Sequence, residues 1–286
     1  MTDGEMIHTW FDGAWHAGNP MVMRADDHGL WQGTPVFDGA RAFEGVAPDL
    51  EAHCARVNHS AEALGMIPTH TTEEIVALVR EGLARFPEKT PVYIRPMYWS
   101  TEHGFSVIVA DESSTAFCLC LSAMPMPSAD TSQRLTRTRF TRPMLSSALT
   151  NAKAACLYPN NARMLREARD KGFTNALVTD PLGNVAETAS SNVFMARDGE
   201  VFTPVPNGTF LNGVTRQRVI GLLRAEGMTV HEATLGFADF EAADEVFMSG
   251  NIAKITPVTQ FDEVHYQHGP ITKRVRELYW DWALSG

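Results

Sequence analysis

A change of character near the middle of the chain does most to limit its architecture. The stretch "AMPMPSADTSQ", Ala123 to Gln133, carries two prolines and several small polar residues with no apolar periodicity. It reads as a linker between separately packed units. Strand-like and helix-like patterns lie on both sides of it. The expectation is therefore α+β, with an N-terminal domain over 1–122, a linker over 123–133 and a C-terminal domain over 134–286. A length of 286 residues is ample for two cores.

The first half opens with "HTWFDGAWHAG", a hairpin around Asp12-Gly13. "LEAHCARVNHSAEALGM" has helical spacing and Gly65 as a stop. "TTEEIVALVREGLARF" begins with Thr71 or Thr72 as N-cap. "TPVYIRPMYW" and "STAFCLCLSAM" read as strands, with Cys118 and Cys120 on one buried face. In the second half, "RLTRTRFTRP" alternates as a largely solvated strand would. A helix is expected over "NNARMLREARDKGF", then a strand in "TNALVTD" and a second Asp-Gly hairpin at Asp198-Gly199. "GVTRQRVIGLLRAEGM" reads as an amphipathic helix ending near Gly227. "EVFMSGNIAKITPV" reads as two extended stretches about a tight turn at Ser-Gly-Asn. "PITKRVRELYWDWAL" is a final helix with Pro270 in its first turn.

Composition excludes several functions. The formal charge of −10 argues against a nucleic-acid partner. No apolar run reaches the ~18–20 residues of a membrane span. The start, "MTDGEMIHTW", lacks the regions of a signal peptide, so a cytoplasmic protein without a membrane partner is expected. Cys54, Cys118, Cys120 and Cys156 form no Cys-x-x-Cys pair and read as free thiols in a reducing compartment. His53 and His59 are six apart on one expected helix and share no face well, and no metal site is expected.

Among the five lysines, Lys153 stands out. Lys89 lies in a turn, Lys171 near a helix C-terminus and Lys273 beside Arg274, whereas Lys254 in "NIAKITPV" is ambiguous. Lys153 sits in "LTNAKAACLYPNNARML", between Ala152 and Ala154. A lysine that attacks a carbonyl must first be neutral, and small apolar neighbours disfavour the charged form. The ordinary alternative is a lysine near small residues in sequence that points to solvent.

A second feature runs from Glu187 to Gln217, "ETASSNVFMARDGEVFTPVPNGTFLNGVTRQ". Glu187 precedes a strand, and Gly213 leads into a helix opened by Val214 and Thr215. A helix start offers backbone N–H groups and a positive dipole end to a phosphate. A carboxylate beside a ring nitrogen stabilises its protonated form. Lysine, carboxylate and phosphate cradle are together what pyridoxal 5′-phosphate requires.

These residues resemble the fold-type IV pyridoxal-phosphate enzymes, the class IV aminotransferases, and within them the branched-chain amino-acid aminotransferases. The resemblance rests on Glu187-x-Ala189-x-x-Asn192-Val193-Phe194, then Val201-x-Thr203, then Leu211-x-Gly213-Val214-x-Arg216. It extends to "VFDGARAFEG", "YIRP", "DEVFMSG", "ITPV" and "GPITKRV". It implies a D-amino-acid-aminotransferase-like fold: a smaller N-terminal α/β domain and a larger C-terminal pseudo-barrel domain that binds the cofactor. By resemblance Lys153 forms the Schiff base and shuttles the proton, and Tyr158 bonds the cofactor's phenolic oxygen. Glu187 pairs with the pyridine nitrogen, Arg56 holds the phosphate, and Leu211 packs on the ring. Val214 and Thr215 supply backbone donors. Asn251 and Ile252 fall on a late turn that bonds phosphate and substrate carboxylate in relatives.

Arg41, Tyr93 and Arg95 are candidates for the substrate side, and Tyr93 and Arg95 face the same way on their strand. A structural ion pair is the plain alternative for Arg95. Phe37 walls an apolar pocket or belongs to the core. The sequence departs from the branched-chain pattern at Gln32, where relatives carry tyrosine, and at Asn251, where they carry threonine. It departs again over "STEHGFSVIV", Ser100 to Val109. The resemblance implies transfer from an apolar, branched-chain-like amino acid to a 2-oxo acid such as 2-oxoglutarate, in a homodimer. A D-amino-acid or (R)-amine transaminase, an aminodeoxychorismate-type lyase and a non-catalytic binding protein of the same fold are the alternatives.

Overall fold

In a computed structural model of the chain, residues 6–285 are described; Met1–Glu5, part of the start read for a signal peptide, and Gly286 lie outside them. The chain forms two compact units. One runs to Met126 and takes back Asn151–Leu157; the other holds Pro127–Thr150 and everything from Tyr158 onward. Residues 151–157 differ in this from the expected 134–286 domain, because their backbone is bonded to the first unit's strand β3, as described below.

The first unit is built on β1 (Ile7–Phe11), β2 (Ala14–Ala17), β3 (Val36–Phe37), β4 (Ala40–Ala42), β5 (Val92–Ser100) and β6 (Thr115–Ala123). Their order is β2-β1-β6-β5-β3, with β4 also on β5, and every pairing is antiparallel. The β1–β2 turn places Asp12 and Gly13 at φ 52° and 75°, as a type I′ hairpin demands. The helices Leu50–Ala63 and Thr72–Leu83 contribute to the core beneath the sheet. Val57, Ala61, Ile75 and Val79 from the helices meet Val92, Ile94, Leu119 and Leu121 from the strands. Each large aliphatic side chain buried there contributes about 1.5–3 kcal/mol. Thr71 caps the second helix: Glu74 N–H donates to its Oγ1, and Thr71 N–H donates back to the Glu74 carboxylate.

The second unit holds β7 (Gln133–Arg137), β8 (Asn175–Thr179), β9 (Val185–Thr188), β10 (Asn192–Arg197), β11 (Glu200–Pro204), β12 (Val230–Ala233), β13 (Glu245–Gly250), β14 (Lys254–Phe261) and β15 (Val264–His265). Their order is β12-β11-β10-β13-β14-β7-β8-β9, with β15 on β14. The last strand of that path, β9, is joined to the third, β10, by Ala189–Ser191 alone. The sheet must therefore curl back on itself, which gives the barrel-like form. The stretch "RLTRTRFTRP" departs from its expectation. Only Gln133–Arg137 is strand, and it lies inside the sheet between β14 and β8, with Leu135 and Thr136 buried. The tight turn after β13 falls on Asn251–Ala253 rather than on Ser-Gly-Asn. Buried Glu245 fastens the helix Pro270–Ser285 by accepting from Ile271 N–H (2.9 Å) and Thr272 N–H (2.8 Å). Among the described residues no helix is long and apolar enough to cross a membrane, and no cluster suits a metal ion.

Candidate active site

Lys153 is held on both sides by backbone. Phe37 N–H donates to Lys153 O at 3.1 Å, Ala155 N–H donates to Pro35 O at 2.9 Å, and Val36 bridges Ala154. Lys153 N–H donates to Ser60 Oγ at 3.0 Å, and that hydroxyl donates onward to Arg56 O at 2.8 Å. Ala152 and Ala154 are core residues, so the small neighbours that singled out this lysine pack inward. The Lys153 side chain is half-buried, with Nζ 5.2 Å from the centroid of the Phe37 ring, inside cation–π range. Phe37 is itself half-buried beside that amine rather than sealed in the core.

Arg56 is fixed by a residue that the sequence reading passed over. Its Nε donates to Asp38 Oδ2 at 2.6 Å and its Nη2 to Oδ1 at 2.9 Å. Asp38 has no exposure and also accepts from Gly39 N–H at 2.7 Å. His53 Nδ1 lies 2.7 Å from Oδ1 and must be the donor, since an ionised carboxylate only accepts. His53 and Arg56 stand three apart and so share one helix face. Burial alone would push the Asp38 carboxyl up, but the charges of Arg56 and His53 outweigh it and hold the group well below the usual carboxylate range. Burial, with Asp38 and Glu51 nearby, pushes the Cys54 thiol up to about 12. All four cysteines are free.

On β4 and β5 the structure brings Arg41, Tyr93 and Arg95 together. Arg41 is opposite Tyr93 in register, and the Arg95 guanidinium sits 5.6 Å from the centre of the Tyr93 ring. The Tyr93 hydroxyl crowds Gly39, where a Cβ would come within 2.5 Å of it. Arg41 is wholly buried; its Nη2 donates to Met124 O, while Nε and Nη1 have no partner. Burial pushes the Arg41 guanidinium down from its ordinary value. Arg95 Nη2 reaches Cys120 Sγ at 3.9 Å, and no carboxylate pairs with Arg95 among the described residues. The structural ion pair considered for Arg95 is thus absent there.

In the second unit, Tyr158 opens the helix Tyr158–Asp170 and is 39% exposed. Glu187, on β9, is buried and paired with buried Arg142 at 2.9 Å. Arg142, read from the sequence as part of a solvated strand, also donates to Asn161 Oδ1. The guanidinium offsets the cost of burying the Glu187 charge and orients the carboxylate. Asn192 is the hub of this group. Its Nδ2 is 3.3 Å from Glu187 Oε2 and 3.1 Å from Leu211 O, and the residue stands opposite Ser249 in register. A Cβ on Gly213 would meet Asn192 Oδ1 at 2.2 Å; that close approach requires glycine.

Gly213 is the N-cap of the helix Val214–Ala225, and no side chain caps that end. The first-turn N–H groups of Val214, Thr215 and Arg216 therefore face outward from the helix start. Thr215 is buried, and Val214 and Leu211 are half-buried. Arg216, fully buried, locks the approach by donating to Asn212 Oδ1, Pro204 O and Glu232 Oε2 at 2.8–2.9 Å. Asn251 lies on the turn after β13, with Lys254 Nζ 2.8 Å from its Oδ1, while Ile252 is 45% exposed.

Two units that separately gather a held lysine with an anchored arginine, and a buried carboxylate with an uncapped helix start, define the class of fold-type IV enzymes. The chain belongs to the class IV aminotransferases, enzymes that use pyridoxal 5′-phosphate; the family described as "Amino-transferase class IV" matches residues 35–261. It is similar to the branched-chain-amino-acid aminotransferase of Escherichia coli (strain K12), with 28% identity over 98% of this chain and 94% of that one. It is similar in structure to an aminotransferase from Brucella abortus bound to the co-factor PLP. There the TM-score is 0.96 and the identity 57%, over 98% of this chain and 99% of that one. A branched-chain aminotransferase from Thermoproteus uzoniensis with norvaline gives a TM-score of 0.90 at 28% identity, over 98% and 95% of the two chains.

Proposed function

We propose that this enzyme transfers the amino group of an apolar, branched-chain-like amino acid to a dicarboxylic 2-oxo acid such as 2-oxoglutarate. The observation that carries the acceptor is Arg41: a guanidinium without exposure, with two nitrogens lacking partners, beside Tyr93 and Arg95. A buried donor set of that kind is costly unless a carboxylate completes it. Phe37 supplies an apolar wall beside Lys153.

The residues fit the cofactor. The uncapped start of Val214–Ala225 and Arg56, kept in place by Asp38, suit a phosphate. Glu187 suits a protonated ring nitrogen. Pyridoxal 5′-phosphate, when bound, supplies an aldehyde carbon for the amine and a ring that draws electrons from the substrate. Lys153 is the group that removes the proton from the substrate Cα and redelivers it. Tyr158 donates to the cofactor's phenolic oxygen, and Leu211 packs on the ring. Val214 and Thr215 hold the phosphate through their backbone. Asn251 and Ile252 orient phosphate or substrate carboxylate. A cytoplasmic homodimer is the assembly expected, and an active monomer in light scattering counts against it.

Replacing Lys153 with alanine should abolish both transfer and the visible absorbance of the lysine-bound cofactor. Persistent turnover would remove this lysine from the reaction. The donor and acceptor are tested with both enantiomers of leucine and alanine, and phenylethylamine, against 2-oxoglutarate and pyruvate. Preference for D or (R) donors would replace this reading with the second one, which the departure at Asn251 keeps open. Release of pyruvate from aminodeoxychorismate without an acceptor would indicate a lyase.

A further inference from the structure

Lys254 carries the inference. It is 1% exposed and stands at φ 60° at the head of β14. That left-handed backbone is uncommon for lysine, and a buried ammonium is costly. Its Nζ lies 2.8 Å from Asn251 Oδ1 and 5.9 Å from the centre of the buried Tyr279 ring. An ammonium only donates, so the atom facing it must be the amide oxygen, and the amide orientation follows from that. The amide nitrogen is thereby turned the other way, and Asn251 Nδ2 is buried with no partner. Ser249 Oγ, on the same strand end, is likewise buried without a partner, and Ser249 stands opposite Asn192, the residue bonded to Glu187 and Leu211. A cation behind an amide whose free face is a donor selects an anionic acceptor.

We propose that Lys254 is a positioning residue that clamps Asn251 Oδ1, so that Asn251 Nδ2 is presented to an anionic group, phosphate or carboxylate, of a bound ligand. This rests on the reading of Asn251 as part of the site. Lys254 polarises the amide as well as fixing it, and removing it frees the side chain to rotate.

The test uses Lys254→Met, with Lys254→Gln as a second variant. Lys254→Met removes the buried charge and also leaves Asn251 Oδ1 without its donor, so the melting temperature is measured for both variants, and Lys254→Gln, which can still donate to that oxygen, separates the loss of charge from a loss of fold. Dissociation constants of pyridoxal 5′-phosphate and of unphosphorylated pyridoxal are measured on apoprotein by absorbance. The amino-acid dissociation constant is measured on holoprotein in the single half-reaction. If the anion is the phosphate, K254M weakens pyridoxal 5′-phosphate by about tenfold, in the range of a charge-assisted hydrogen bond, and leaves pyridoxal unchanged. If it is the substrate carboxylate, cofactor affinity is retained and the amino-acid constant rises by about tenfold with the limiting rate kept. In either case K254M/N251A is no weaker than N251A. Changes below twofold in both constants, or effects that multiply in the double variant, overturn the proposal. Wild-type protein that takes up no pyridoxal 5′-phosphate would instead overturn the functional reading.

Discussion

Asp38→Asn is the most demanding test of how the first unit is held together. Asparagine keeps the shape of aspartate, so the change isolates charge and hydrogen-bond polarity. Asp38 Oδ1 receives Arg56 Nη2, His53 and Gly39 N–H, and Oδ2 receives Arg56 Nε. An amide must keep its oxygen on the side with three donors. Its NH2 then faces Arg56 Nε across a separation of 2.6 Å, donor against donor. Arg56, whose side chain is 15% exposed, loses its buried counter-charge. Breaking a buried pair by removing one partner costs about 3–5 kcal/mol, which is a large share of a domain's ~5–15 kcal/mol. At roughly 2–4 °C per kcal/mol, the melting temperature of the apoprotein should fall by about 10 °C.

The pH dependence follows with a fixed sign. The folded carboxyl titrates below its unfolded value of about 3.9, so its contribution is complete above about pH 4 and is lost as pH falls further. The gap between wild type and D38N in urea unfolding should therefore narrow as pH falls below about 4. A variant within 1 °C of wild type at neutral pH, or a gap that is insensitive to acid, would refute the claim that Asp38 anchors Arg56 by charge.

Gly213→Ala has no backbone penalty at φ −62°, so its effect reports space alone. The added methyl displaces Asn192, and cofactor affinity measured on apoprotein should fall while a crowding cost of about 1–3 kcal/mol appears in unfolding. Thr71→Ala removes a capping box that includes no candidate site residue; it should cost about 1 kcal/mol in urea unfolding and leave the transamination rate unchanged.

Local chemistry was legible in the sequence, and long-range pairing was not. Asp12-Gly13 and Asp198-Gly199 announce their hairpins because only such residues take consecutive positive φ cheaply, and all four do so. Thr71 with Glu74 spells its own cap. Tyr93 and Arg95 share a face because strand periodicity is a property of neighbours. Arg142 was misjudged because alternation in "RTRFTRP" cannot reveal a buried partner 45 positions later at Glu187. Asp38 shows no role in "VFDGAR" taken alone; its signal in the sequence is a lone acid followed by glycine, ahead of a helix carrying His53 and Arg56 on one face.

The return of Asn151–Leu157 to the first unit has a consequence for biosynthesis. A nascent chain that ends at the linker lacks the segment that bonds β3 and Ser60, so the amino-terminal body emerges from the ribosome unfinished. Its completion waits for the opening stretch of the other body to be translated. Severing the gene at the proline-rich joint would therefore give a fragment with an open seam, lacking the segment that carries Lys153.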